Sequence, residues 1–354
     1  MIDKEFMDNL RPVDIDFISE YLMDKFGKQL VFENSDNYKE EAECCPRCRS
    51  HKIIKWGSKP KQRYKCKDCN RTFSNTTGTV FFGSHQSYEK WTKFIMAELC
   101  GTSLRDEMEM MDTCIETVFI MRHKLYDAVK DYGENILFGL IEADSTYKRI
   151  SYCGLRKYQM PRESHKRGKH KSEKGSSGNQ GNYNDKICIV SAVDERDNCI
   201  LKTASSGREN SDDFHLLGQY FKQGSTVVCD SNSTFIKYCK DNGYQTDVVI
   251  PKPTYNNYIT ESGNSLSSVN QLHQEVSLMI QKTHGVSIRH LQGYLNWILF
   301  KRFMRFKVER KYWKSESYKK IMNKSSEINS FNIHNLPFPI HVKYELEDLI
   351  PSVA

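Results

Sequence analysis

No stretch of the 354-residue sequence approaches the ~18 consecutive apolar residues that a membrane-spanning helix needs. The opening residues, MIDKEFMDNL, are charged at once and lack an apolar centre, so no secretion signal is expected. Acidic residues fall short of basic ones, 45 against 52, leaving a net charge of +7. That surplus suits a polyanionic partner, nucleic acid first. Cysteine, by contrast, is not scarce: there are twelve. In a long chain without a secretion signal they suit reduced thiols and metal ligation better than a disulfide framework. The expected compartment is the cytoplasm, with the nucleoid inside it.

The clearest local motif is a pair of knuckles, Cys45-Pro-Arg-Cys48 and Cys66-Lys-Asp-Cys69. Each CxxC turns two thiolates the same way, and two such turns complete a tetrahedral Zn²⁺ site. Between them HKIIKWGSKPKQRYK reads as two short strands around a turn, so residues 41–83 are expected to form a zinc ribbon. Four thiolates leave no open coordination position, which makes this zinc structural. Cys44 adjoins the first knuckle as a competing ligand, but CPxC is the better-formed turn. Lys52, Lys55, Lys59, Lys61, Arg63, Lys65, Lys67 and Arg71, with Trp56 and Tyr64 among them, give the ribbon a DNA-contacting character. A solvated basic face is the blander reading.

On either side of the ribbon the pattern is helical. Phe17, Ile18, Tyr21, Leu22 and Phe26 fall at helical spacing within an N-terminal segment, 1–40, that carries no chemistry. Over 84–132 the stripe Tyr88, Trp91, Phe94, Ile95 and Leu99 ends at Gly101. A short helix from Ser103 and a longer one from Cys114 follow. Thr117, Arg122, His123 and Lys124 on the last helix fit a helix-turn-helix, and a plain helical connector fits equally well.

Residues 136–312 read as an α/β domain, with a tail at 313–354. ILFGLIEADSTY is an apolar run that ends on Asp144, and TVVCD is a second that ends on Asp230. The basic, glycine-rich segment from Arg156 to Asn184 reads as a surface loop beside them. Lys186–Asp194 and Asn198–Ala204 are expected as strands around a turn, Asp212–Tyr220 and Ser233–Asn242 as helices, and Val248–Ile250 as a last strand. A mixed sheet flanked by helices, as in an RNase H-like fold, accommodates that order. Carboxylates at two strand ends suit Mg²⁺ or Mn²⁺, and two such ions activate a hydroxyl against a phosphodiester. A strand-end aspartate taken alone more often caps a turn. A helix at Ser268–Thr283 is expected to bury Val269, Leu272, Val276, Met279 and Ile280 and to set Asn270, His273 and Ser277 along one edge, with Glu275 on the opposite flank.

With these motifs in place the chain resembles bacterial insertion-sequence transposases of the ISXO type. The likeness runs through CPRC and YKCKDCNRTF, IEADSTY, MPRESHKRGK, KICIVSAVDERDN, VVCDSNSTF and VNQLHQEVSLMIQK, over roughly residues 40–305. It implies a zinc ribbon ahead of an RNase H-like, DDE-type domain, with Asp144 and Asp230 as the two Mg²⁺-holding aspartates. It further implies a third catalytic position at Asn270 and His273. Relatives often place Glu where this chain has His273, and often an acid where it has Ser145. A basic residue recurs downstream, for which Lys282 is the nearest match. The resemblance implies DNA element ends and target as partners, a homo-oligomer on DNA, and cleavage and strand transfer as the activity. A decayed or repurposed DNA-binding protein is the competing reading, favoured by His273, and a host nuclease without strand transfer is the third.

Overall fold

The computed structural model describes residues 42–57, 62–149, 151, 186–249, 259–322 and 324–336. The helical segment expected within 1–40, the basic loop from Arg156 and the Pro-Phe-Pro of the tail lie outside the described residues. Internal contacts divide the chain into two units, 1–129 with 304–333 and 130–303 with 334–354.

In the first unit, β1 (Ile53–Lys55), β2 (Arg63–Cys66) and β3 (Thr72–Ser74) form an antiparallel sheet in that order. Only two strands are expected from the sequence. The third forms because Phe73 alternates inward and stacks on Tyr64 with ring centroids 5.6 Å apart. Three helices follow, α1 (Tyr88–Cys100), α2 (Leu104–Met111) and α3 (Ile115–Ala128). The Ser87 and Ser103 hydroxyls accept from the Lys90 and Asp106 amides, supplying the N-caps. Gly101, at φ 79°, closes α1 in the left-handed region that glycine adopts without strain.

The polar residues of α3 point inward. Arg122, His123 and Lys124 are buried, so the face expected to meet DNA is packed instead. Arg122 pairs with Glu98 of α1 and, at 2.7 Å, with Glu107 of α2, while the Tyr126 hydroxyl donates to Glu98 at 2.9 Å. One guanidinium thus pins all three helices.

The second unit contains β4 (Leu140–Arg149), β5 (Lys186–Asp194), β6 (Cys199–Ser206), α4 (Ser211–Gly218), β7 (Thr226–Cys229), α5 (Ser233–Asp241) and β8 (Gln245–Val248), then α6 (Ser267–Lys282) and α7 (Ile288–Lys307). The sheet order is β6-β5-β4-β7-β8. β4, β5 and β6 form an antiparallel meander, and β7 and β8 run parallel to β4. This is an RNase H-like mixed sheet with helices against it. β5, KICIVSAVD, is buried over almost its whole length, as a strand covered on both faces must be. Ile141, Ala143, Val190, Val227 and Cys229 pack against Phe214, Leu217 and Phe235 of α4 and α5. Arg302 of α7 ties the β5–β6 turn to α6, bonding Asp197 at 2.6 Å and Glu275 at 3.0 Å.

Two strand boundaries depart from expectation. β8 lies at Gln245–Val248, three residues before the expected Val248–Ile250, because its parallel register pairs Thr226 with Gln245. β4 runs five residues beyond Asp144, which lies in mid-strand opposite Ser191. The chain re-enters the first unit at Met304 and forms α8 (Trp313–Met322) there, whose buried Tyr318 hydroxyl hydrogen-bonds Thr92 of α1 at 2.9 Å.

Candidate functional site

The two knuckles converge. Among the described residues, Cys45, Cys48, Cys66 and Cys69 are the one group of potential metal ligands whose donor atoms all lie within 4.8 Å of one another. The Cys45–Cys69 and Cys48–Cys66 sulfurs are 3.7 and 3.5 Å apart. Four sulfurs at ~2.3 Å from a tetrahedral Zn²⁺ would be about 3.8 Å apart. Cys44 stands outside the group. The residue after each knuckle, Arg49 at φ 57° and Asn70 at φ 56°, takes the left-handed conformation that turns the chain back.

The thiols also carry the electrostatic mark of a cation site. The Cys69 amide, helped by that of Asp68, holds Cys66 down to about 7 against its burial. The Ser50 amide favours the Cys48 thiolate too, but the neighbouring sulfur of Cys66 and then burial push it up to about 12. Sulfurs this close cannot all ionise without a positive charge between them.

The aspartates meet for a reason visible in the strand register. β4 pairs with β7 only from Leu140 to Glu142, whereas its pairing with β5 continues to Arg149. β7 ends at Cys229, and Asp230 emerges where β4 has lost that neighbour. Asp144 and Asp230 consequently line one cleft, together with Glu209 and Asn232. The three carboxylates are not all within 4.8 Å of one another. Burial, followed by the charges of Asp230 and Glu209, pushes Asp144 up to about 6 although the Ser145 amide donates to it at 2.8 Å. Burial and then Asp230 also raise Glu209.

On the other side of Asp144, α6 runs along β4 through three contacts. The Glu142 carboxylate accepts from the Ser268 and Val269 amides at 2.7 and 3.0 Å, capping a helix that has no side-chain cap of its own. Four residues after Val269, His273 Nδ1 lies 3.8 Å from Asp144 Oδ2, and a further turn on, Ser277 Oγ accepts from Lys148 Nζ at 2.7 Å. Ser191 orients the imidazole. Its single hydroxyl proton goes to the Asp144 carbonyl at 2.7 Å, so His273 Nε2, 2.6 Å from Ser191 Oγ, must be the donor there. The Nδ1 lone pair therefore faces the Asp144 carboxylate. Burial, then the nearby Lys148 charge, lowers His273 to about 4 and keeps it neutral.

Of the residues named from sequence, the structure brings together Asp144 and Asp230, and sets His273 beside Asp144. Asn270, one turn before His273, is exposed and is not among the residues lining the cleft. Lys282 lies nine residues beyond His273, about 13 Å along the helix axis. Lys148 is the cation beside the imidazole. Sequence reasoning missed Lys148, Ser191, Glu209 and Asn232. The alternation of β4 places Lys148 on the face of Asp144, a signal available once the strand is known to continue.

An RNase H-like sheet with a pair of aspartates in its cleft, preceded by a four-cysteine ribbon, has the architecture of the DDE-type DNA transposases. Within that class, residues 136–302 match the ISXO2-like transposase domain model. A protein described as an uncharacterized protein in transposable element ISH50, from Halobacterium salinarum, is 29% identical over 213 residues, which cover 58% of this chain and 68% of that protein. No helix among the described residues is long and apolar enough to cross a membrane.

Proposed function

We propose that this chain is a DNA transposase that recognises the terminal inverted repeats of its element and cuts and rejoins strands at the Asp144–Asp230 cleft. The observation that carries this reading is the register of β4 and β7, which ends their pairing where the two aspartates face one cleft. Mg²⁺ or Mn²⁺ is the expected cofactor there. Bound as a pair, such ions lower the pKa of an attacking water or 3′-hydroxyl and stabilise the departing phosphodiester oxygen.

The residues present fit that cofactor. Asp144 and Asp230 offer hard oxygen donors, and a carboxyl raised by its acidic neighbours is one that a cation would return to its ionised form. His273 presents a neutral nitrogen toward Asp144 on an imidazole held by Ser191. Asn270 stands exposed one turn earlier on the same helix, outside the lining of the cleft. The four cysteines would hold a structural Zn²⁺ that folds the ribbon. Lys65 lies over the exposed ring of Trp56, 4.5 Å from its centroid, a basic and aromatic surface suited to a DNA backbone. Two element ends must be held together for joining, so a homo-oligomer on DNA is expected.

Asp144→Ala and Asp230→Ala are expected to abolish cleavage and joining of end-containing DNA in Mg²⁺ or Mn²⁺ while specific end binding survives. Normal joining by either variant would sink the reading. The second reading, a DNA-binding protein without catalysis, draws on the neutral His273. Wild-type protein that binds the ends yet leaves them intact with either cation would favour it.

A further inference from the structure

One acid in the cleft has an unsatisfied oxygen. Glu209 lies between β6 and α4 on a loop fixed at both ends. The Gly207 amide donates to the Lys186 carbonyl at 2.7 Å, and Asp213 of α4 accepts from the Ser205 amide at 3.0 Å. Glu209 Oε1 accepts from Asn232 Nδ2 at 2.7 Å. Its Oε2 is out of reach of solvent and has no hydrogen-bond partner among the described residues. Leaving such an atom unpaired is unfavourable, and among the described residues no basic side chain lines the cleft to relieve it.

Asn232 relates this oxygen to the aspartates. Its backbone amide donates to Asp230 Oδ1 at 3.1 Å, and its side-chain carbonyl caps α5 by accepting from the Thr234 and Phe235 amides. A single asparagine, anchored to a helix N-terminus, therefore sets the positions of Asp230 and Glu209 together. The neutral His273 leaves the site one negative charge short of three acids, and Glu209 approaches the same cleft from the β6–α4 loop.

We infer that Glu209 supplies the third carboxylate of the divalent-cation site, in place of the acid that α6 lacks at His273. The inference rests on the reading of Asp144 and Asp230 as cation ligands. The test is Mn²⁺ binding by titration calorimetry on zinc-loaded, full-length protein, comparing wild type with Glu209→Gln, Asp144→Asn and Asp230→Asn. Glutamine keeps an oxygen for Asn232 Nδ2, so a purely structural role survives that substitution. Glu209→Gln is expected to weaken Mn²⁺ binding about tenfold or more, as the aspartate variants do, without lowering the melting temperature of the Mn²⁺-free protein. Wild-type Mn²⁺ affinity in Glu209→Gln, with affinity lost in both aspartate variants, would overturn the role of Glu209 and leave the cation site standing. Wild-type affinity in the aspartate variants would overturn the cleft reading and this inference with it.

Discussion

Asp144 has a cost that its position does not relieve. Burial and two neighbouring acids hold its carboxyl up to about 6 from an ordinary 3.8. A carboxyl whose folded pKa is raised contributes stability that is full below its unfolded pKa and lost as pH rises through the folded value. By pH 8, without divalent cations, the ionised side chain costs on the order of 3 kcal/mol. Asp144→Asn is therefore expected to raise the melting temperature of cation-free protein at pH 8, with the gain disappearing near pH 4. Thermal melts at the two pH values check this, and an equal gain at both would place the effect elsewhere. Asp144 was legible in the sequence as an acid on an apolar run, because β-favouring residues precede it. Its mid-strand place was not, since Ser-Thr-Tyr-Lys-Arg carries no apolar alternation to mark a continuing strand. Glu209 had no local signal at all: it lies in a loop, and only the sheet order brings that loop to Asp230.

Among the elements, the three helices α1, α2 and α3 concentrate charge around Arg122, with two carboxylates sharing one guanidinium. Glu107 is pushed up to about 9 by burial and then by the Glu98 charge, despite Arg122 beside it. The raised value means that folding favours the protonated form, so stability is fullest below the ordinary 4.5 and declines as pH rises through 9. Glu107→Gln retains a hydrogen-bond acceptor for Arg122 without the second charge. It is expected to flatten the fall in melting temperature between pH 6 and pH 9 that the wild type shows over about that interval. A fall of the same size in the variant would assign the pH dependence to another group. The helices themselves were readable from Ser87, Gly101 and Ser103, which carry the caps. The inward turn of Arg122 was not, because an arginine on a short helix reads as solvent-facing until a buried partner is known. Glu98 and Glu107 lie on two other helices, 24 and 15 residues away in sequence.

Across the whole molecule, the ribbon and the sheet unit differ in how each is held together. The buried cluster of the ribbon consists of Cys45, Tyr64, Cys66 and Phe73, so two of its four members are themselves expected metal ligands. So small a core does not outweigh chain entropy without the metal. The sheet unit instead buries an apolar layer between its strands and two helices, from Leu137 through Ile141, Val190 and Val227 to Phe235 and Tyr244. Its strands need no ion to pair. Removal of zinc with a chelator is therefore expected to expose the amides of Tyr64 and Cys66 to rapid hydrogen exchange while those of Ile189 and Val190 stay protected. Specific binding to element ends should be lost in the same preparation, with Mn²⁺ binding at the cleft recovered once the chelator is dialysed away. If the Ile189 and Val190 amides opened together with the ribbon, the zinc would be supporting the sheet unit as well, and separate assignment of DNA recognition and strand chemistry to the two parts would fail. If the ribbon amides stayed protected without zinc, four thiols 3.5 to 3.7 Å apart in crossed pairs would have to be stable on hydrogen bonds alone. The opposed shifts of Cys66, down to about 7, and Cys48, up to about 12, follow from sulfurs crowded so closely that one gains a proton as its neighbour loses one, and a cation bound among them would let all four ionise.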